Sequence, residues 1–366
     1  MKSYRRQFQD ILEWNPPERP LWVPRLDIWY RANRSRGTLP AEVQDMGLHE
    51  IEAMLGMGRS ARDARIYRLE HDSSIREKSE RQGDMVLEWI ETPAGTVQSS
   101  WYWPDQNREA GIARLHQERP IKSEADFEVL RYLWEHSSWV ADYEAFEAYD
   151  REVGEAGYPM VGIGFTPIHT IMISYMGYEA FYDALYERPE PILELLEVME
   201  SKYREMWEIV AASPAPLVLH CQNITSSMTP RPIFERFFMP YCQAFNARMH
   251  KAGIRVATHT DADLTGLIEL VRDCDFDVSD CFACAPLVTT TFDEAWEAWR
   301  DKIVIWGGLP STMLEPEYPL EEFRRYAREL HETMKGRAGF IWAVSDNVMP
   351  GAELDRLKWV RDLLFA

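Results

Sequence analysis

The sequence predicts an α/β protein, a (β/α)8 (TIM) barrel carrying an N-terminal insertion, and three observations carry that prediction. From about residue 215 onward, short β-like runs alternate with amphipathic helical patterns, which is the signature of a parallel sheet. Each run ends in polar or small residues, so the carboxyl ends of successive strands would form one polar rim. Between residues 84 and 103, two alternating segments flank a Pro-Ala-Gly turn and read as a β-hairpin rather than a βα unit. The 366 residues are expected to form a single barrel domain, 1–366, with residues 40–150 as an insertion covering the barrel mouth.

In chain order, the first strand is expected at Leu21-Trp22-Val23-Pro24-Arg25-Leu26-Asp27, followed by a weaker run from Ala64 to Leu69. The hairpin spans Met85 to Gln98. Met160 to Gly164, Leu217 to Leu219, Ile254 to Ala257, Phe276 to Val278, Ile303 to Trp306 and Phe340 to Ala343 bring the barrel strands to eight. No internal repeat or low-complexity segment interrupts them.

Sixty acidic residues against 40 basic ones give a formal net charge of -20, which would repel nucleic acid and anionic membrane surfaces. A small-molecule substrate is expected instead. No apolar run approaches a membrane span, and Met1-Lys2-Ser3-Tyr4-Arg5-Arg6 leads into polar residues, so a cytoplasmic location is expected. Five cysteines (Cys221, Cys242, Cys274, Cys281, Cys284) are an odd, scattered set, unlike a secreted disulfide framework, and are expected to be reduced.

The richest chemistry lies in His259-Thr260-Asp261-Ala262-Asp263, where a buried strand meets a loop. With Asp346 at the end of the last strand, His259 and Asp261 would offer one nitrogen and two carboxylates, a hard-leaning set compatible with zinc, manganese or iron(II). The opposing reading is that His259 and Asp261 bond loop backbone while Asp263 caps the next helix. Asp27, His220, Asn223 and Asp280 also end strands and are expected to bind substrate, with Cys221 beside them; a helix cap for Asp27 and a satisfied core histidine for His220 are the plainer readings. Cys281-Phe282-Ala283-Cys284 has no second cysteine pair and reads as structural. Gly307-Gly308 permits close backbone approach but opens no phosphate loop.

Several segments resemble the uroporphyrinogen decarboxylase superfamily, which includes corrinoid- and coenzyme M-dependent methyltransferases. They are Trp14-Asn15-Pro16-Pro17-Glu18-Arg19-Pro20-Leu21-Trp22, Ile121 to Glu128 with Asp142 to Phe146, Thr229 to Tyr241, and Trp306-Gly307-Gly308-Leu309-Pro310. The resemblance implies a single (β/α)8 barrel. It also implies that His259, Asp261 and Asp346 occupy the places of a His-x-Cys and a Cys that hold zinc in the methyltransferase branch, with both cysteines replaced by aspartate. The arginine-rich segment with which true decarboxylases grip porphyrinogen carboxylates is not reproduced at Arg25 to Arg31. The implied activity is therefore a metal-dependent methyltransferase or demethylase, moving a methyl group from a small, methoxylated or otherwise methylated substrate to a corrinoid protein. His259, Asp261 and Asp346 would be its catalytic and metal residues, zinc the first expectation for the ion, and a homodimer the analogous assembly. A metal-free decarboxylase of a small carboxylate and a non-catalytic ligand-binding barrel are the alternatives.

Overall fold

The structure is a computed structural model that describes residues 2–220 and 223–366. Two compact units make up the chain: Met1–Ala64, Glu147–Gly164 and Ala215–Ala366 form the first, and Arg65–Phe146 with Phe165–Pro214 the second.

The first unit is organised by a six-stranded parallel sheet. Its strands, Val161–Gly164, Leu217–His220, Arg255–His259, Val278–Phe282, Val304–Leu309 and Phe340–Val344, lie side by side in chain order. Helices Met239–Lys251, Ile268–Asp273, Phe292–Trp299, Leu320–Met334 and Leu354–Phe365 follow the last five in turn. Four of the six strands are buried at every position, as expected where helices cover the outer face of a parallel sheet.

Two of the expected barrel strands take another form. Leu21 to Asp27 makes only an isolated bridge at Trp22, with Val23 N–H donating to the Trp342 carbonyl (2.8 Å) and Trp342 N–H to that of Leu21 (2.9 Å). Pro20 and Pro24 bracket this stretch and cannot donate to a ladder, and Asp27 opens the helix Asp27–Arg36. The run Ala64 to Leu69 is divided: Asp63 and Ala64 bridge Val161, whereas Tyr67–His71 pairs antiparallel with Ser137–Ala141 in the second unit. Gly58 N–H donates to the Trp22 carbonyl (2.8 Å), so the two bridging segments also touch each other.

Inward-facing side chains of this unit form one apolar cluster. Leu21 and Val23, Leu217 and Leu219, Val304 and Trp306, and Ile341 and Ala343 enter it as i, i+2 pairs, the two-residue period of extended backbone. Helix Tyr4–Leu12 adds Phe8, Ile11 and Leu12. Its first turn is capped by Ser3, whose hydroxyl accepts from Arg6 N–H (3.2 Å). Phe8 stacks on Tyr158 (5.0 Å between centroids) and meets Trp306 edge-on (5.1 Å).

In the second unit the hairpin is present: Met85–Thr92 pairs with Gly95–Tyr102, with Thr92 opposite Gly95. Arg76–Gln82 and Leu115–Glu118 flank it in a four-stranded antiparallel sheet. Arg76–Gln82 is an edge strand, exposed throughout and densely charged, which discourages pairing with other chains. Helices Glu124–Glu135 and Glu190–Ala211 pack through Trp134 and Tyr203, 5.6 Å apart. Among the described residues no helix is long and apolar enough to cross a membrane.

If Phe8 seals the end of the apolar cluster, Phe8→Ala should cost about 3–5 kcal/mol, the usual penalty for emptying a core aromatic site. Urea denaturation would show this as a lower midpoint at unchanged slope; a shift worth less than about 1 kcal/mol would show that the helix is not integral to the cluster.

Candidate metal centre

Three neighbouring strands bring the chemistry together. Asp280 pairs in register with His259 on one side and Trp306 on the other, so the ring and the carboxylate emerge at the same level. The ladder to Val304–Leu309 then slips: Asp280 faces Trp306, Phe282 faces Gly307, and Cys281 is the extra residue between them. In a regular strand, Cys281 would point away from Asp280. The bulge, with Cys281 in the left-handed region (φ 53°), turns its thiol to the same side. Gly307 makes this possible: a Cβ there would stand 2.6 Å from the Phe282 carbonyl oxygen and 2.7 Å from its nitrogen.

Asp346 is reached by a second left-handed residue. It follows Phe340–Val344 at φ 56°, a conformation that aspartate tolerates better than most residues. Ser345 locks the turn, donating from its N–H to the Leu309 carbonyl and from its hydroxyl to that of Phe282, both at 2.8 Å.

His259 stands at the centre. Its Nδ1 lies 3.2 Å from an Asp280 oxygen, and its Nε2 lies 3.5 Å from oxygens of both Asp261 and Asp346. Burial opposes a charge on this ring, but its three carboxylate neighbours outweigh that and raise its pKa well above the usual imidazole value. Asp346 also accepts from Arg25 (2.7 Å) and Asn347 (2.7 Å). Burial would raise its pKa; the His259 bond and the Arg25 charge reverse the sign and hold it far below the usual carboxylate range. Asp280 is fully buried, and Arg62 binds both its oxygens. Burial again pushes upward, while Arg62 and His259 prevail and keep Asp280 ionised. Three cations, Arg25, Arg62 and His259, thus face three carboxylates.

One set of donor atoms approaches the convergence a metal demands. Within the described residues, a nitrogen of His259, the Sγ of Cys281 and an oxygen of Asp346 all lie within 4.8 Å of one another. Bond lengths of about 2.0–2.3 Å put ligand atoms of a tetrahedral zinc about 3.5 Å apart, so modest side-chain adjustment would close the set. Nitrogen, sulfur and oxygen together form a borderline-soft donor set that suits zinc. Asp280 engages Nδ1, which leaves Nε2 toward the ion, the arrangement usual behind a ligating histidine.

The sequence points to His259, Asp261 and Asp346; the structure brings all three close, and Cys281, read from sequence as structural, joins His259 and Asp346 in the tight set while Asp261 stands beside it with 23 % of its side chain exposed. Asp263 organises loops instead, accepting from Ser226 Oγ (2.7 Å) and from Thr290 N–H and Oγ (both 3.0 Å). His220 is buried: Nδ1 meets the Gly164 carbonyl (2.8 Å) and Nε2 the Tyr241 hydroxyl (3.1 Å), and burial lowers its pKa to about 4. Asn223 is exposed with left-handed backbone (φ 57°), Asp27 sits in the first turn of its helix, and Cys221 lies outside the described residues. Asp280, expected to touch substrate, gives its oxygens to Arg62 and His259. Sequence reasoning missed Arg25, Arg62 and Cys281. Gly307-Gly308 held the signal for the last, because a glycine that must approach a neighbouring strand marks the place where that strand can bulge.

The sequence profile described as uroporphyrinogen decarboxylase (URO-D) matches residues 114–364. A methyltransferase from Methanosarcina mazei superposes over the full length of both chains with a TM-score of 0.53 at 11 % identity, a likeness of fold. A nitroalkane oxidase from Streptomyces ansochromogenes (TM-score 0.28, 11 % identity, 56 % of this chain and 53 % of the other) and a GH18 chitinase from Flavobacterium johnsoniae (0.33, 11 %, 62 % and 82 %) are too distant to inform the site. No curated protein sequence matches the chain.

Two tests follow from this geometry. Gly307→Ala sets a Cβ against backbone atoms that cannot yield, so the bulge should shift and the thermal midpoint fall by several degrees, a loss of roughly 1–3 kcal/mol or more; an unchanged midpoint would refute the close approach. His220 binds its proton less readily folded, at about 4, than unfolded, at about 6.5, so its contribution is complete above pH 6.5 and is lost as pH falls toward 4. Between pH 7 and pH 5 the wild type should lose about 2 kcal/mol more stability than His220→Gln, measured by denaturation at each pH; parallel profiles would contradict a buried neutral ring.

Proposed function

Because the chain belongs to the uroporphyrinogen decarboxylase family, we propose that it is a metal-dependent methyltransferase or demethylase that moves a methyl group from a small methylated substrate to a corrinoid protein. The observation that carries this reading is the convergence of His259, Cys281 and Asp346, two of them held in left-handed backbone. Such conformations cost about 1–3 kcal/mol each and persist where surrounding structure enforces them, commonly at functional sites. The scaffold proposed is a (β/α)8 barrel. In it, the segment around Trp22 pairs with Phe340–Val344, Asp63 and Ala64 bridge Val161 while Arg59 bridges Gly157, and the Gly58–Trp22 hydrogen bond joins the two segments. The fold likeness to a methyltransferase is compatible with this reading.

His259 Nε2, Cys281 Sγ and Asp346 would hold the ion, with zinc favoured by the sulfur donor over manganese or iron. When bound, the ion would supply Lewis acidity to the methyl-bearing heteroatom, making it a better leaving group. Asp280 orients the His259 ring, and Arg25 and Asn347 fix the Asp346 carboxylate. Asp261, partly exposed beside Nε2, is placed to orient the substrate. A metal-free decarboxylase would need a cationic group available to a substrate carboxylate, yet Arg25 and Arg62 are each committed to an aspartate.

Elemental analysis of protein purified without chelator tests the assignment. The wild type should carry about one metal per chain, as should Asp261→Ala, whereas Cys281→Ser and Asp346→Ala should lose it. Metal-loaded protein should then methylate reduced cobalamin from a methoxylated or methylated donor, followed by the cobalt absorbance. Absence of metal from every variant, with activity or ligand binding intact, would leave metal-free decarboxylation or simple binding.

A further inference from the structure

Arg62 is largely covered (11 % of its side chain exposed) and reaches the site from the segment that bridges Val161. That segment is tied down by Arg59 N–H to the Ala156 carbonyl (2.8 Å) and Met160 N–H to the Ala61 carbonyl (2.7 Å). Every nitrogen of its guanidinium has a partner: Nε donates to Ser60 Oγ (2.9 Å), Nη1 and Nη2 to the two oxygens of Asp280, and Nη2 also to Cys281 Sγ (3.0 Å). The guanidinium carbon lies over the Trp306 ring, 4.8 Å from its centroid, and Trp306 is tethered by its Nε1 to the Val23 carbonyl (2.9 Å). A planar fork can grip both carboxylate oxygens and still reach a third acceptor. The carboxylate so gripped is the one that meets His259 Nδ1.

From this arrangement we propose that Arg62 is the positioning residue of the metal centre. Through one rigid group it sets Asp280 behind His259 and holds Cys281 Sγ, so that Nε2 and Sγ are presented to the same ion. The assignment rests on the metal reading above. It adds that the sulfur donor depends on Arg62, a residue that would not itself touch the ion. Lysine cannot substitute, because a single ammonium cannot span the two Asp280 oxygens and the sulfur as the planar fork does.

The test is a cobalt(II) titration of metal-free wild type, Arg62→Gln, Arg62→Lys and Asp280→Asn, reading both affinity and the sulfur-to-cobalt charge-transfer absorption, with thermal melts to establish folding. Arg62→Gln and Arg62→Lys should bind cobalt about 10–100-fold more weakly and lose most of the charge-transfer band, while Asp280→Asn should weaken binding and keep the band. Should Arg62→Gln fail to fold, Arg62→Lys decides the question. An undiminished band and affinity in the arginine variants would overturn the positioning role and leave the metal centre standing. A wild type that binds no cobalt, or binds it without sulfur, would overturn both.

Discussion

The candidate site depends on the contact between the backbone of Gly307 and that of Phe282 in the neighbouring strand. At this slip the neighbouring strand comes closer than a side chain permits, and the missing Cβ of Gly307 supplies that space. Without the extra residue, Asp280 and Cys281 would obey the two-residue alternation, and only one could face His259. With it, a buried carboxylate and a thiol leave the same strand on the same side and meet the same guanidinium.

Charge is the second constraint. Asp280 has no access to water, and an isolated carboxylate at such a place would be driven to its neutral form. Its compensation arrives from two directions, Arg62 from an early segment and His259 from the adjacent strand. Asp346 is treated alike, by Arg25 and His259. His259 is therefore shared between two paired aspartates, each of which brings its own arginine. Buried ion pairs of this kind contribute little net stability, but removing one member leaves an uncompensated charge. The network thereby holds its geometry more firmly than its net energy would suggest.

What was legible in the sequence follows from how local each signal is. The strands from Met160 to Ala343 announce themselves as apolar runs with polar ends, and three of those ends carry His259, Asp280 and Asp346, because burial on both faces and a polar rim are properties of contiguous residues. His259, Asp261 and Asp346 could be picked out in the same way. The N-terminal pairing segments were harder, since Pro20 and Pro24 limit Trp22 to a bridge, and the run from Ala64 to Leu69 serves two different sheets. Arg25 and Arg62 act on partners more than 200 residues away, and no local pattern distinguishes them from other surface arginines. Cys281 reads as structural for a physical reason: alternation is the rule for a strand, and the residue that breaks it here is recognisable only through the glycine on its neighbour.

That break in alternation bears on the chemistry. In the branch of methyltransferases that the sequence resembles, sulfur reaches the metal from a His-x-Cys and from a cysteine after the last strand. Here both positions are aspartate, and on sequence alone the centre would contain no sulfur. The bulge brings one thiol from a different strand beside His259 and Asp346, a candidate set of a nitrogen, a sulfur and an oxygen where the family pattern has a nitrogen and two sulfurs. A centre with one thiolate fewer would place less electron density on an ion bound there, which would leave that ion the stronger Lewis acid. Such an ion is better matched to drawing charge from an oxygen or nitrogen that must depart from a methyl group than to keeping a bound thiol nucleophilic. On the metal reading proposed above, the same exchange of donors would count against thiol alkylation and would suit removal of a methyl group from an ether or amine.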